Sequence, residues 1–538
     1  MKKLLVSILV ALMVTGSFAM GTTEGGAKTD TDANSKDLLK IAYYAYPSQL
    51  DPQKTTEFYA AALNCFDRLV EAKSTGPSKS EIVPGLAETW TISDDGLVYT
   101  FQLRKNVKFQ NGEVFKADDV LYTFDRMLNP VTKALNTDFM DMIAGADDRM
   151  DGKSDKVSGI KVINDYSIQI TLAAPYAPFL ANIATPAGSI FNRKATEAAG
   201  DKFGLEPDMT VGSGPFIYSD NLVNDHFTLT AFKDYWRGAP ELKGIIFKII
   251  PDADTQRMMF ETGDLDLFDC DVARTQITYF EGNAKWSKQI ISTPKVATFY
   301  LSFNQNIKPF DDVRVRKAVQ LAINRTSILE KLYYGKGQLI HGILPPGLAG
   351  FNTKAEVIPY NVEKAKALLA EAGLSGGFDM TMAQVSGNQS ILNIGEVIQS
   401  MLKPLGINVK IDQMDEAAYY DTRAEGKLPM YTNDWGADFN DPDNFIYTFF
   451  SRNNTVSRSF NYKNTDVQAK LEKARAMTDP VARYALYQQI EKTIVIDDAA
   501  WLPLFALEHL YVVQPRVNGL TLSWNGSSNM SYYGVSLK

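Results

Sequence analysis

Reactive side chains are scarce in this 538-residue chain, which has two cysteines, Cys65 and Cys270, and three histidines, His226, His341 and His509. None of the five lies at metal-ligand spacing from another, so no zinc site and no metal ligand is expected. The two cysteines can bridge in an oxidising compartment or remain two buried thiols, and sequence leaves both readings open. Catalytic motifs are missing too: there is no Gly-rich phosphate loop, no His-Glu-x-x-His helix and no Gly-x-Ser-x-Gly elbow. The nearest segment, Val211-Gly212-Ser213-Gly214-Pro215, has its serine one position out. It reads as a tight turn where two segments cross. Positive charge is also short, 55 Lys and Arg standing against 63 Asp and Glu for a formal charge of −8, which disfavours a nucleic-acid partner. Acids are numerous enough that a catalytic carboxylate pair, and with it a secreted hydrolase, stands as the different-class alternative, although nothing singles out a pair. The reading is a protein that is not an enzyme and carries no cofactor.

Long apolar runs are likewise lacking. The first, residues 4–14, is about eleven residues against the roughly 20 needed to span a bilayer. It follows Lys2 and Lys3 and precedes Ser17 and Ala19, the layout of a signal peptide over residues 1–19, cleaved after Ala19. No cysteine adjoins that point, so no lipid acceptor is expected there, and the protein reads as periplasmic. Residues 20–37 are polar and form a flexible leader.

What remains has clear periodicity. Residues 97–104 alternate, Tyr99, Phe101 and Leu103 facing one way, as a half-buried strand does. Asp118 and Asp119 then open a helix striped by Val120, Leu121, Phe124, Met127 and Leu128 and stopped by Pro130. From residue 361 helix and strand alternate. Asn361 caps a helix striped by Val362, Ala365, Leu368, Leu369 and Ala372 and ended by Gly373. A second helix aligns Ile391, Ile394, Ile398, Leu402 and Leu405, and Gly406 leads into a strand with Ile407, Val409 and Ile411 alternating. After a third helix, a strand over residues 428–435 completes the series. Such alternation predicts an α/β sheet whose ligand lies beyond the carboxyl ends of its strands. The loop at that point, Gly436-Ala437-Asp438-Phe439-Asn440-Asp441-Pro442-Asp443, holds three acids and an asparagine within six positions.

Several blocks together are more specific than any one of them. They include Leu50-Asp51-Pro52, Pro84-Gly85-Leu86-Ala87-Glu88-Thr89-Trp90, Asp94-Asp95-Gly96-Leu97-Val98-Tyr99-Thr100-Phe101, Gly212-Ser213-Gly214-Pro215-Phe216, Gly263-Asp264-Leu265-Asp266, Asn304 and Pro309-Phe310-Asp311-Asp312-Val313-Arg314. In this order the chain resembles the oligopeptide- and dipeptide-binding proteins of ABC importers, the family-5 extracellular solute-binding proteins. The resemblance implies a periplasmic binding protein-like class II (type C) fold, in which two lobes close on a hinge and the first carries an extra domain. It puts the first lobe at 38–77, 206–298 and 508–538, the extra domain at 78–205 and the second lobe at 299–507. It also implies a monomer that hands its solute to a membrane permease.

The ligand follows by the same resemblance. In peptide-binding members a Trp followed three residues later by an Asp holds the peptide ammonium, and Trp435-Gly436-Ala437-Asp438 reproduces that spacing. The candidate ligand-binding residues are Asp438, Trp435 and Ala437, with Asn304 and Gln389. An ammonium removed from water needs a nearby fixed charge with acceptor atoms, and an ionised Asp supplies both. The chain departs from dipeptide-binding members where they carry an arginine for the ligand carboxylate, reading Gly387-Asn388-Gln389-Ser390 instead. A short peptide is the expected ligand. An oligosaccharide, stacked on Trp and Tyr faces, is the alternative within the same fold, although aromatics such as Tyr43, Tyr44, Tyr419, Tyr420, Phe449 and Phe450 are more often packing residues than platforms.

Overall fold

The computed structural model describes residues 37–76, 79–271, 273–525 and 530–538. The expected signal peptide over 1–19 and the leader as far as residue 36 lie outside them. Among the described residues no helix is long and apolar enough to cross a membrane.

Three sheets with separate cores organise the chain. One orders its strands Leu38–Tyr43, Gly244–Ile249, His226–Ala231 and Phe216–Leu222, the first two parallel and the rest antiparallel. Leu39, Ile41, Leu229, Ile245 and Phe247 fill its core, together with Tyr532 from the carboxyl-terminal tail. A second sheet is antiparallel throughout, in the order Ala87–Ile92, Val98–Leu103, Ser167–Thr171, Ile160–Asn164. Tyr99, Phe101 and Leu103 point inward as their spacing predicts, while Thr100 and Gln102 face outward. The helix Ala117–Leu128 covers this sheet with Val120, Phe124, Met127 and Leu128. Its first-turn Asp119 accepts the Lys116 N–H at 2.9 Å, occupying a donor that the helix start leaves open.

The largest sheet contains the predicted helix–strand series. Strands Phe378–Val385 and Ile407–Met414 run parallel over eight residue pairs, and Met430–Gly436 runs parallel to the first of them. Ile391, Ile394, Ile398 and Leu402 of the helix Gln389–Leu402, with Leu405, are all buried against it. Two features are absent from the expected pattern. Phe378–Val385 is Met-rich and buries the polar Gln384, whose amide donates to Ile391 O and Thr432 Oγ1, both at 3.1 Å. The sheet is also mixed, because Ala297–Phe303 inserts antiparallel between Met430–Gly436 and the long strand Trp501–Val513.

That thirteen-residue strand ties the cores together. Trp501, Leu502, Leu504, Phe505 and Leu507 belong to the core of the largest sheet. Leu510 and Val512 enter a small cluster with Phe260, Phe268 and Trp286, and Tyr511 and Val513 enter the core of the first sheet. A second segment crosses beside it, with Ile290–Pro294 paired to residues 508–512, the Lys295 N–H donating to Leu507 O at 2.7 Å, and Ala297–Phe303 following.

Ser213 is no nucleophile. It is fully buried, and its hydroxyl oxygen accepts the Asp67 N–H at 3.3 Å. The flanking glycines touch a crossing segment: a Cβ on Gly212 would stand 1.9 Å from the Cys65 carbonyl oxygen, and one on Gly214 2.6 Å from its carbonyl carbon. Cys65 and Cys270 are both buried and unbridged. Burial pushes the Cys65 thiol up to about 12, which keeps it protonated and inert. Gly212→Ala is expected to cost at least about 2 kcal/mol by forcing backbone apart, read as a lowered urea midpoint; an unchanged midpoint would show that the crossing is not tight.

Candidate functional site

The loop that follows the carboxyl end of Met430–Gly436 is pinned from below by its own acids. Asp441 and Arg483, 5% and 3% exposed, form two short parallel bonds of 2.6 and 2.7 Å. Asp443, also buried, accepts from the Tyr487 hydroxyl at 2.9 Å and lies 3.2 Å from Arg475 Nε. These two carboxylates are committed to structure. Asn440 is committed as well, its carbonyl oxygen accepting the Ala349 N–H at 2.7 Å and its amide donating to Ser80 Oγ at 2.6 Å.

Asp438 alone among the acids of this loop faces a cavity, one of about 790 Å³ whose other lining side chains include Asp67, Arg68, Glu71, Trp236 and Trp524. It is held rather than neutralised. The Asn444 amide donates to Oδ2 at 3.0 Å while the same side chain accepts the Asp438 N–H at 2.9 Å. Asn444 also takes the Trp435 indole N–H on its backbone oxygen at 2.8 Å. One asparagine, 4% exposed, therefore sets both ends of the Trp–x–x–Asp spacing. The Asp438 carboxylate is open to water in the cleft, yet protein surrounds it at near-interior density. That enclosure pushes its carboxyl up to about 6, the Asn444 bond opposes the rise, the facing Asp138 carboxylate adds to it, and the Arg458 guanidinium opposes it. An acid held in this way gains most from an arriving cation.

The other expected residues divide. Trp435 is half-buried, with the Arg458 guanidinium 4.7 Å over its ring and Phe449 edge-on at 5.4 Å, so one indole face is already covered. Ala437 is buried, and its carbonyl accepts from Asn525 at 3.2 Å. Gln389 is exposed, donates to Asn393 at 2.7 Å, and lines a separate polar recess of about 430 Å³ with Asn388, Glu416, Tyr420 and Asn433. Asn304 must be corrected. It follows the opposite end of the strand pair, on the order of 20 Å from Asp438 at about 3.3 Å per residue. It is fully buried, donating to Gly426 O and Leu428 O and accepting from Asn306 N–H and Asn461, so it has nothing left for a ligand. Among the aromatics, Tyr419, Phe449 and Phe450 are core residues. Asn444 and Asp138 were not foreseen: Asn444 lies one position past the acidic stretch, and Asp138 is 300 residues away in sequence.

Known proteins resemble this chain over most of its length. The family model described as bacterial extracellular solute-binding proteins, family 5 Middle, matches residues 81–457. The dipeptide-binding protein of Escherichia coli is 31% identical over 533 residues, covering 94% of this chain and 95% of its own. Heme-binding protein A of Haemophilus influenzae is 29% identical over 537 residues, covering 95% and 94%. A periplasmic binding protein associated with an ABC transporter of Helicobacter pylori, solved in complex with the peptide STSA, superposes with a TM-score of 0.74 at 29% identity, covering 94% of this chain and 99% of its own.

The two kinds of acid in the loop should respond differently to substitution. Asp441→Ala strands Arg483 in the interior and is expected to cost about 3–5 kcal/mol, whereas Asp438→Ala costs less, about 1–3 kcal/mol at most, for the Asn444 amide it leaves without an acceptor, and removal of an enclosed charge offsets part of that. In a carbon-13 titration Asp438 should turn over near pH 6, and Asp138→Asn should move it downward; a midpoint near 4 in the unaltered protein would contradict the geometry.

Proposed function

The chain belongs to the bacterial extracellular solute-binding proteins of family 5, and from that premise we propose that it captures short peptides in the cleft beside Asp438 and delivers them to an ABC importer. Family-5 members are periplasmic binding proteins of such importers, and the relatives matched here are binding proteins. The reading of a peptide rests on one observation above all: the acid of the 438–443 loop that has no basic partner among the described residues is the one that faces the cavity. An incoming α-ammonium supplies the positive charge and donors that Asp438 lacks, and the carboxylate replaces part of the water the ammonium gives up.

Closure of the cleft is consistent with contacts already spanning it. Asn440 bonds Ser80, and Asn525 bonds Ala437. The Arg475 backbone oxygen accepts the Ala177 N–H at 2.9 Å, and its guanidinium stacks 4.6 Å from the Tyr176 ring. The two chain segments crossing side by side near Lys295 and Leu507 make a hinge there physically reasonable, because few torsions separate the cores. Closure excludes water and strengthens the charge pair at Asp438.

Binding should be proton-linked with a defined sign. Enclosure pushes the empty carboxyl up to about 6 and the bound ammonium lowers it, so affinity is level between about pH 6 and the peptide ammonium's own loss of its proton near about pH 8, and falls by up to about tenfold per unit below pH 6. Calorimetry with a short-peptide library checks this. Asp438→Ala should weaken binding by about 2–5 kcal/mol, thirtyfold or more; unchanged affinity in that variant, or the same affinity at pH 7 and pH 5, would refute the assignment.

A further inference from the structure

The cavity that Asp438 faces carries, on the side built from the other cores, the cations Arg68, Lys73, Arg104 and Arg237. Two of the arginines are already engaged. Arg237 holds Glu71 through both terminal nitrogens at 3.1 and 2.8 Å. Arg104 donates from Nε to Gly85 O at 2.8 Å and lies 3.8 Å from Glu88. Both guanidinium groups also rest on the Trp236 ring, Arg237 at 4.4 Å and Arg104 at 4.7 Å. Asp67 in turn fixes that ring by accepting its N–H at 2.9 Å, along with the Tyr235 hydroxyl at 2.9 Å.

Arg68 differs from both. Among the described residues its guanidinium has no carboxylate within 4.0 Å, the one hydrogen bond that group makes is a marginal 3.5 Å contact from Nη1 to Phe66 O, and its Nε is buried with no acceptor. A guanidinium has five donors in a rigid fork. Leaving them unfilled in a half-buried place costs free energy unless something arrives to fill them. Its chain neighbour Asp67 points to Tyr235 and Trp236, each bonded at 2.9 Å, and makes no ion pair with it. A planar anion that enters through the cavity has the charge and shape to fill the donors that face it.

We propose that Arg68 receives the free carboxylate of the ligand, so that a short peptide lies with both charged ends inside one cavity, its ammonium on Asp438. This inference rests on the peptide reading above and adds the second anchor. It also accounts for the lack of an arginine at residues 387–390, since the positive charge comes from the other side of the cleft. A sphere of the cavity's volume is about 11 Å across, on the order of three extended residues at about 3.3 Å each, so both termini of a tripeptide fit within it.

Three mixed tripeptide libraries test the proposal by native mass spectrometry of the full protein: one with free termini, one C-terminally amidated and one N-acetylated. The unaltered protein should retain the free library at least about tenfold over the amidated one, the range of a charged hydrogen bond. In Arg68→Gln that preference should collapse to within about twofold, and Arg68→Lys should restore part of it, with thermal melts confirming folded variants. The amide comparison itself needs no variant. Equal retention of free and amidated peptides by the unaltered protein, or a preference that survives Arg68→Gln, overturns the role of Arg68 while rejection of the acetylated library keeps the ammonium site. Equal retention of acetylated and free peptides, or retention of none, removes the ammonium site and this proposal with it.

Discussion

The buried pair between Arg483 and Asp441 is the constraint on which the cleft depends. It lies below the loop after Met430–Gly436, with both partners almost wholly out of water and two parallel bonds between them. Such a pair adds little net stability against a well-packed apolar substitute, but it tolerates one geometry only. With Asp441 fixed and Asp443 bound to Tyr487, the chain between Trp435 and Asn444 has one course, and Asn444 converts that course into the placement of a single carboxylate. Asp438 is unpaired because its neighbours in sequence are paired.

The surroundings of that carboxylate are functional rather than stabilising. Enclosure and the facing Asp138 both disfavour its ionised form, so the folded protein gains nothing from the charge at neutral pH. A cation entering the cleft reverses the balance. On the opposite wall Asp67 holds Trp236 and Tyr235, Glu71 holds Arg237, and Arg104 bonds Gly85 O, which leaves Arg68 over, beside Lys73. Asp438, with no basic partner among the described residues, and Arg68, with no acidic one, line a single cavity together with Lys73, and the long strand Trp501–Val513 joins the cores around it.

Much of this was legible in the sequence where the signal is local. Alternation of Tyr99, Phe101 and Leu103, the Asn361 cap, whose side chain accepts the Lys364 N–H at 2.9 Å, and the buried stripe from Ile391 to Leu402 are short-range consequences of period and capping chemistry. The family blocks supplied the overall architecture. Non-local pairing was not legible. Phe378–Val385 lacks β-branched residues over most of its length and buries a glutamine whose partners come from two other elements, so its pattern does not read as a strand until Thr432 and Ile391 stand beside it. Nor did the residues show which acids of the 438–443 loop are taken, because Arg483 and Tyr487 approach from a helix about forty residues on. Asn304 was misplaced for the same reason: a buried asparagine and a ligand-facing one look alike until their hydrogen-bond partners are counted. The open donors of Arg68 are not legible in the sequence, because they show only beside the acids around it, each already bonded elsewhere.

The most direct measurement is a crystal structure of the protein with a tripeptide in the cleft. The account predicts the peptide nitrogen within about 2.7–2.9 Å of an Asp438 oxygen, the distance of a charge-assisted bond, with the Asn444 clamp unchanged. A peptide whose ammonium rests elsewhere, leaving Asp438 to water, would contradict it.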